Sequence, residues 1–414
     1  MYKIYILEDF FIHKDLLTFL YNMQYTELYF TITFLKGCSM KIGIDSRAAK
    51  WYRGTGIGTY SYQLINSINK IDIINKYLLF MPQTKSIDIK FKSNYEIRNI
   101  NQDLQGNFWD EVNIPTILKS EDIDLYHVPQ NGVGLPKEKT CPFIITLHDI
   151  IPYRMPETVG EVYLDIFLKE MPNIISKCDG IITVSNFSKQ DIISAFNFPS
   201  EKIFVTHLAN EEIYLPLNKD KCSSFIKENY SISGDFILYV GGFSPRKNIV
   251  GLIQAFSKIE NKLKNRDVKL VIVGNKGKSY SLYKQTAEDY KVSEKVIFPG
   301  FIPLEHMPLF YNACKLFVYP SLYEGFGLPP IEAMACGIPI IASNLTSIPE
   351  VVGDAGILIN PYDIDELCWE MLHIFEDEAF RNSLIKKSLL RSSEFSWNKT
   401  AENTISAYMS TIMK

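Results

Sequence analysis

Two carboxylates, a pair of cations and two histidines in this chain occur in contexts that could do chemistry. Glu324 and Glu332 lie in one string from Leu316 to Ala342, L-F-V-Y-P-S-L-Y-E-G-F-G-L-P-P-I-E-A-M-A-C-G-I-P-I-I-A, with seven residues between them. Arg246 and Lys247 adjoin in G-G-F-S-P-R-K-N; His127 lies in L-Y-H-V-P-Q-N-G, and His148-Asp149 in T-L-H-D-I-I-P. Carboxylates accept hydrogen bonds from hydroxyls, while cations and helix N-termini hold phosphates. Together they imply a ligand that is polyhydroxylated and phosphorylated, such as a nucleotide sugar. Each residue also has a plainer account. A Glu in a first helical turn offsets the helix dipole by roughly 0.3–1 kcal/mol, an Arg-Lys pair before a helix is commonly a solvated surface, and a lone strand-end His is commonly a hydrogen-bonded structural residue.

The elements that would position these groups follow from pattern and punctuation. The apolar run 316–319 reads as a strand ended by Pro320, and Gly325 and Gly327 force a turn. Pro329 and Pro330 fit only a first helical turn, so a helix begins with them and stops at Gly337. This places Glu324 in the loop and Glu332 in the first turn, where free N–H groups favour anions. Lys41 to Asp45 reads as a first strand, and Gly54, Gly56 and Gly58 precede a helical pattern. Their G-x-G-x-G spacing lacks the dinucleotide fingerprint, which disfavours an NAD site.

Further strands are expected at 77–80, 124–128, 143–147, 180–184 and 203–205, with helices near 109–118, 159–176 and 188–196. The text N-E-E-I-Y-L-P-L-N-K, 210–219, loses periodicity and reads as a linker. A second alternation follows, with strands at 236–240, 269–273, 296–298, 316–319, 338–342 and 356–359, a helix at 249–259, helical text over 364–390 and a last helix opened by Phe395-Ser-Trp397. Strands alternating with helices mean parallel sheets with crossovers, whose strand ends hold ligands. His127 and His148 fall at two such ends. The fold class is α/β.

Length and composition set limits. A chain of 414 residues fits two domains of ordinary size. Its 46% hydrophobic and 22% charged residues are globular proportions. A net charge of −4 argues against a general nucleic-acid binder. Seven cysteines, none in a C-x-x-C spacing, suggest neither a disulfide framework nor a zinc site, and a reducing cytoplasm suits them. No run of about 18 uncharged apolar residues marks a membrane span. Residues 1–39 are crowded with aromatics but interrupted by Glu8, Asp9, Lys14 and Asp15, so they do not read as a secretion signal. Since M-K-I-G-I-D-S-R from Met40 resembles the first strand of a Rossmann-type domain, 1–39 reads as an upstream extension; a membrane-surface segment is the competing account, disfavoured because charges are not segregated to one face.

The string E-G-F-G-L-P-P-I-E followed by A-M-A-C-G-I-P-I-I-A-S resembles the signature of the family 4 (group 1) retaining glycosyltransferases. The resemblance covers roughly 40–413 and is strongest over 236–360. It implies a GT-B fold, two Rossmann-like doubly wound domains with the active site in the cleft between them. The domains would be 40–210 on the acceptor side and 220–395 for the nucleotide sugar, with 396–414 a helix crossing back to the first. By the same resemblance, sugar passes from an NDP-sugar to a saccharide or lipid-linked saccharide hydroxyl with retention, in cell-surface polysaccharide synthesis, without metal or other cofactor. The two histidine strings are similar to those of polysaccharide mannosyltransferases, which favours GDP-mannose. Localisation would be cytoplasmic, with peripheral contact at the inner membrane face compatible with it. Matched residue by residue, Glu324 orients sugar hydroxyls, His148 touches the donor sugar, and Lys247, with Arg246 in a variant loop where Phe243 follows Gly242, compensates the leaving diphosphate. Glu332 holds the ribose; Gly56, Phe326, Gly327 and Leu328 border the donor; Gly300 and Phe301 meet the base, although core packing explains Phe301 equally well; His127 and Asp149 support the site. Two rivals are a sugar-nucleotide epimerase on the same fold and a non-catalytic two-domain sugar-binding protein.

Overall fold

A computed structural model describes residues 39–51, 53–82, 87–100, 118–260, 262–263, 267–277 and 279–413. The extension 1–38 and most of the helix expected near 109–118 lie outside them.

Two parallel sheets form the frame. The first runs through β1 (Lys41–Asp45), β2 (Lys76–Pro82), β3 (Tyr95–Ile100), β4 (Leu125–Val128), β5 (Phe143–Thr146), β6 (Gly180–Thr183) and β7 (Ile203–Val205), in the order β3-β2-β1-β4-β5-β6-β7. The second comprises β8 (Phe236–Val240), β9 (Lys269–Val273), β10 (Val296–Gly300), β11 (Leu316–Tyr319), β12 (Ile340–Ser343) and β13 (Ile357–Ile359), ordered β10-β9-β8-β11-β12-β13. The central strands are mostly apolar because helices cover both faces; in β4, β5, β6, β11 and β12 every residue is buried. Both orders reverse direction once, beside β1 and β4 and beside β8 and β11. Loops leaving the strand ends at these points open a crevice, and the two crevices face one another.

Several elements escaped the sequence pattern. Strand β3 has a polar, half-exposed pattern because it is a sheet edge. Helices Lys219–Tyr230, Tyr280–Asp289 and Met307–Ala313 are short or weakly amphipathic. The helical text 364–390 is broken in two, Ile364–Glu376 and Glu378–Ser393, because Asp377 leaves helical geometry and its carboxylate caps the second helix by accepting from the Phe380 N–H at 2.8 Å.

The segment 206–218 carries no helix or strand and joins the two sheets. The last helix, Trp397–Ile412, follows the helices of the second half and packs on the first, against helix Gly56–Ile71, β6 and β7. There the Tyr408 hydroxyl meets His127 Nδ1 at 2.7 Å, and Thr400 donates to the His207 carbonyl at 2.5 Å.

Candidate functional site

A cavity of about 530 Å³ lies between the two crevices. That volume suits a ligand of nucleotide size. Its walls include Gly56, His148 and Asp149 from the first sheet's loops, and Arg246, Lys247, Glu324, Phe326, Gly327, Leu328, Glu332 and Phe301 from the second's.

The E-G-F-G loop has a steric explanation. A Cβ on Gly325 would collide with the His148 carbonyl and the Asp149 side chain, so only glycine lets the loop after β11 touch the loop after β5. The Gly325 carbonyl accepts from Ser185 Oγ at 2.7 Å and Ser188 Oγ at 3.0 Å, which fastens the second half to the first. Gly327 has φ +116°, in the region that favours glycine, and serves as the N-cap of helix Leu328–Ala335. Leu328 takes the first helical position, so Glu332 falls in the second turn rather than the first as expected. A carboxylate there gains less from the helix start, and the dipole account of Glu332 loses force.

At the cavity floor, Glu324 Oε1 receives the Lys247 ammonium, the Arg246 guanidinium at 3.1 Å and the Tyr319 hydroxyl at 3.0 Å. Arg246 also donates to the Tyr323 carbonyl at 2.8 Å, and Lys247 to the Tyr319 hydroxyl at 2.8 Å. The two cationic side chains are only 19% and 8% exposed, which excludes the solvated-surface account of the pair. Burial pushes the Glu324 carboxyl upward, but Arg246 and Lys247 outweigh it and hold the group at about 2. Burial lowers Lys247 to about 8 against the pull of Glu324, leaving it cationic at neutral pH.

Glu332 has the opposite environment. Its Oε2 accepts from the Tyr311 hydroxyl at 2.7 Å. Burial raises this carboxyl to about 7, the Tyr311 bond works against the rise, and the charge of nearby Glu211 adds to it.

The histidines divide. His148 lines the cavity, its Nε2–H donating to the Pro129 carbonyl at 3.0 Å and its ring edge-on to Tyr60 at 4.7 Å. Burial lowers it to about 4, so the ring is neutral and Nδ1 is left as an acceptor. His127 stands outside the lining, fully buried between Tyr408 and Thr146 Oγ1 at 2.8 Å; burial takes it to about 3, and it ties the last helix to the sheet. Asp149 accepts from the Ile151 N–H at 3.0 Å, and burial raises its carboxyl.

Phe301 is 66% exposed at the cavity mouth, which removes core packing as its explanation. Gly300 is not itself in the lining; its carbonyl accepts from the Gly274 N–H at 3.2 Å and turns the chain at φ +87° so that Phe301 projects. Sequence reasoning missed Glu211 and Tyr214, which reach the cavity from the segment read only as a linker. Nothing in their local pattern marks them. Among the described residues no three His, Cys, Asp or Glu cluster as a metal site, and no helix is long and apolar enough to cross a membrane.

Residues 224–391 match the model of glycosyl transferases group 1, and residues 91–209 that of glycosyltransferase family 4. The chain is 35% identical over 284 residues to the O-antigen chain mannosyltransferase B of Escherichia coli, covering 69% of this chain and 74% of that one. The chain belongs to the group 1 glycosyltransferases. It is therefore a sugar-transferring enzyme, and the epimerase and non-catalytic alternatives fall. A serotype-specific mannosyltransferase of Escherichia coli is 32% identical over 289 residues, and this glycosyltransferase spans only 35% of that longer relative. Sucrose-phosphate synthase from Thermosynechococcus elongatus superposes with a TM-score of 0.71 at 21% identity, over 89% of this chain and 98% of that one. Anabaena HepE in complex with UDP and glucose gives 0.66 at 18% identity, over 89% and 99%. These likenesses establish the GT-B fold.

Proposed function

We propose that this glycosyltransferase moves mannose from GDP-mannose to a hydroxyl of a saccharide or lipid-linked saccharide, with retention of configuration, in cell-surface polysaccharide synthesis. The single observation that carries the reading is the buried Arg246–Lys247 pair held by Glu324 in a nucleotide-sized cavity. Two buried cations, facing Glu324 and Asp149, stand where a diphosphate would depart, and preorganised charge of this kind is a large catalytic contribution. The O-antigen mannosyltransferases among the relatives support the sugar and the pathway class; Anabaena HepE, solved with UDP-glucose, supports a nucleotide-sugar donor.

The residues take the following parts. Arg246, Lys247 and the free N–H groups at Gly327 and Leu328 compensate the diphosphate, so no metal is required. Glu324 and neutral His148 meet sugar hydroxyls, Glu332 accepts from the ribose, and Phe301 offers a face for the base. Gly56, whose added Cβ would meet nothing within 4 Å, leaves room for the acceptor beside the phosphate. The acceptor attacks from the face the diphosphate leaves, and a phosphate oxygen takes its proton. Residues 40–210 then receive the acceptor, 220–395 bind the donor and 396–414 cross back to the first domain, with the protein in the cytoplasm and in peripheral contact with the inner membrane face.

The test is the purified chain with GDP- and UDP-linked sugars, an acceptor of short mannosyl oligosaccharide, nucleotide release as the signal and NMR of the new anomeric centre. GDP-mannose should turn over fastest and yield the α-anomer. Faster turnover of a UDP-sugar overturns the donor, and a β-linked product overturns retention.

A further inference from the structure

Glu211, in the segment joining the sheets, is 7% exposed and lines the cavity. Its carboxylate grips the loop before helix Gly56–Ile71. Arg53 Nη1 donates to Oε1 at 2.9 Å, Nη2 to Oε2 at 2.5 Å, and Gln63 Nε2 to Oε2 at 2.6 Å. The guanidinium is steadied in turn by Thr59 Oγ1 at 3.2 Å and by the Tyr62 ring, 4.4 Å from its centroid. Such a two-pronged pair fixes direction as well as distance. Arg53 immediately precedes Gly54, so the grip sets where Gly54, Thr55 and Gly56 stand.

The other end of the same turn holds the opposite wall. The Tyr214 N–H donates to the Glu211 carbonyl at 3.0 Å and closes the turn. The Tyr214 ring packs edge-on against Tyr311 at 5.6 Å, beside Glu332, which Tyr311 binds. One four-residue turn therefore touches both the acceptor-side glycine loop and the carboxylate assigned to the ribose.

We propose that the turn Glu211–Tyr214 is a positioning element that sets the glycine loop and Glu332 at the spacing a nucleoside diphosphate needs, with the Arg53–Glu211 pair as its anchor. The inference rests on the donor-site reading of Glu332. It carries an electrostatic consequence. The groups facing Glu332 are Tyr311, Tyr214, Glu211 and, at the end of its own helix, Cys336; Glu211 is the carboxylate among them, and Arg53 pairs with it.

The test is calorimetric affinity for GDP and for UDP from pH 5.5 to 8.5, with melting temperatures alongside, in Glu211→Gln, Arg53→Gln, Arg53→Lys, their Gln double and Glu332→Gln. In both single Gln variants the affinity on the alkaline plateau should drop about tenfold, the double should be no worse than the singles, and Arg53→Lys should restore part of the loss. The pH at which affinity falls should move down in Glu211→Gln, where a like charge is gone, and up in Arg53→Gln, where Glu211 is left uncompensated. Plateau affinities within about twofold of wild type in both single Gln variants overturn the proposal, whatever the melting temperatures do. If Glu332→Gln itself leaves both affinities unchanged at every pH, the donor-site reading fails; if it weakens them while the Glu211 and Arg53 variants do not, the positioning role alone fails.

Discussion

Within one cleft, Glu324 is ringed by cations, while Glu332, eight positions later, is ringed by hydroxyls and faces a second carboxylate. Burial acts on both in the same direction, so their difference comes from neighbours. Arg246 and Lys247 hold Glu324 at about 2, whereas Glu332 rises to about 7. The Glu324 carboxylate therefore keeps its charge at every physiological pH, while the Glu332 carboxyl changes its charge near neutrality. Two residues of one type in one loop-helix unit are thus specialised by what the rest of the fold brings to them.

The sharpest way to break this contrast is Lys247→Ala, which should lower kcat by about two to three orders of magnitude, since the charge matters most as the bond breaks. Steady-state kinetics decide it, and a loss below about tenfold would show that the cation is there for Glu324 rather than for the diphosphate.

Glu324→Gln should come next, with kcat down about ten- to a hundredfold and melting temperature lowered at pH 7, because Arg246 and Lys247 are left facing each other. The sign with pH follows. A carboxyl held near 2, against an ordinary 4.5, contributes stability that is complete above 4.5 and lost as pH falls towards 2. Melting curves of both proteins should therefore converge in that window; parallel curves would deny the ion-pair account.

Glu332→Gln should leave kcat nearly intact and weaken donor affinity about ten- to a hundredfold above pH 7. Here the stability sign is reversed. A carboxyl raised from 4.5 to about 7 binds more protons folded than unfolded, so the wild type loses stability as pH climbs through that interval. The variant should melt higher than wild type at pH 8 and alike near pH 4.5, and an earlier melt at pH 8 would make Glu332 a structural stabiliser instead.

The smallest effect belongs to Phe301→Ala. Loss of one stacking face, worth about 1 kcal/mol or more, should raise the donor KM roughly fivefold without a change in melting temperature, because this ring is largely exposed. A lowered melting temperature would return Phe301 to packing.

Much of this was legible in the chain itself. Apolar runs of strand length separated by helical periodicity sufficed for both parallel sheets, because buried central strands must be continuously apolar. The proline pair and Gly337 bounded the helix below Glu332 to within a residue, since each acts through local backbone geometry. Strand β3 and helix Lys219–Tyr230 were not legible, because an edge strand and a mostly polar helix bury too little to impose a pattern.

By itself, then, the sequence determined the two crevices, the family, and that Glu324, Glu332, Lys247 and His148 would stand in the cleft, all through short-range rules or an extended motif. Only the tertiary structure decided their states. It placed His127 in a buried bridge to Tyr408, 281 positions away, and not in the cleft. It turned Arg246 inward, exposed Phe301, and brought Glu211 to Arg53 across 158 positions. Protonation and contact depend on which groups share a low-dielectric space. That is set by how distant segments pack, which no local spacing encodes.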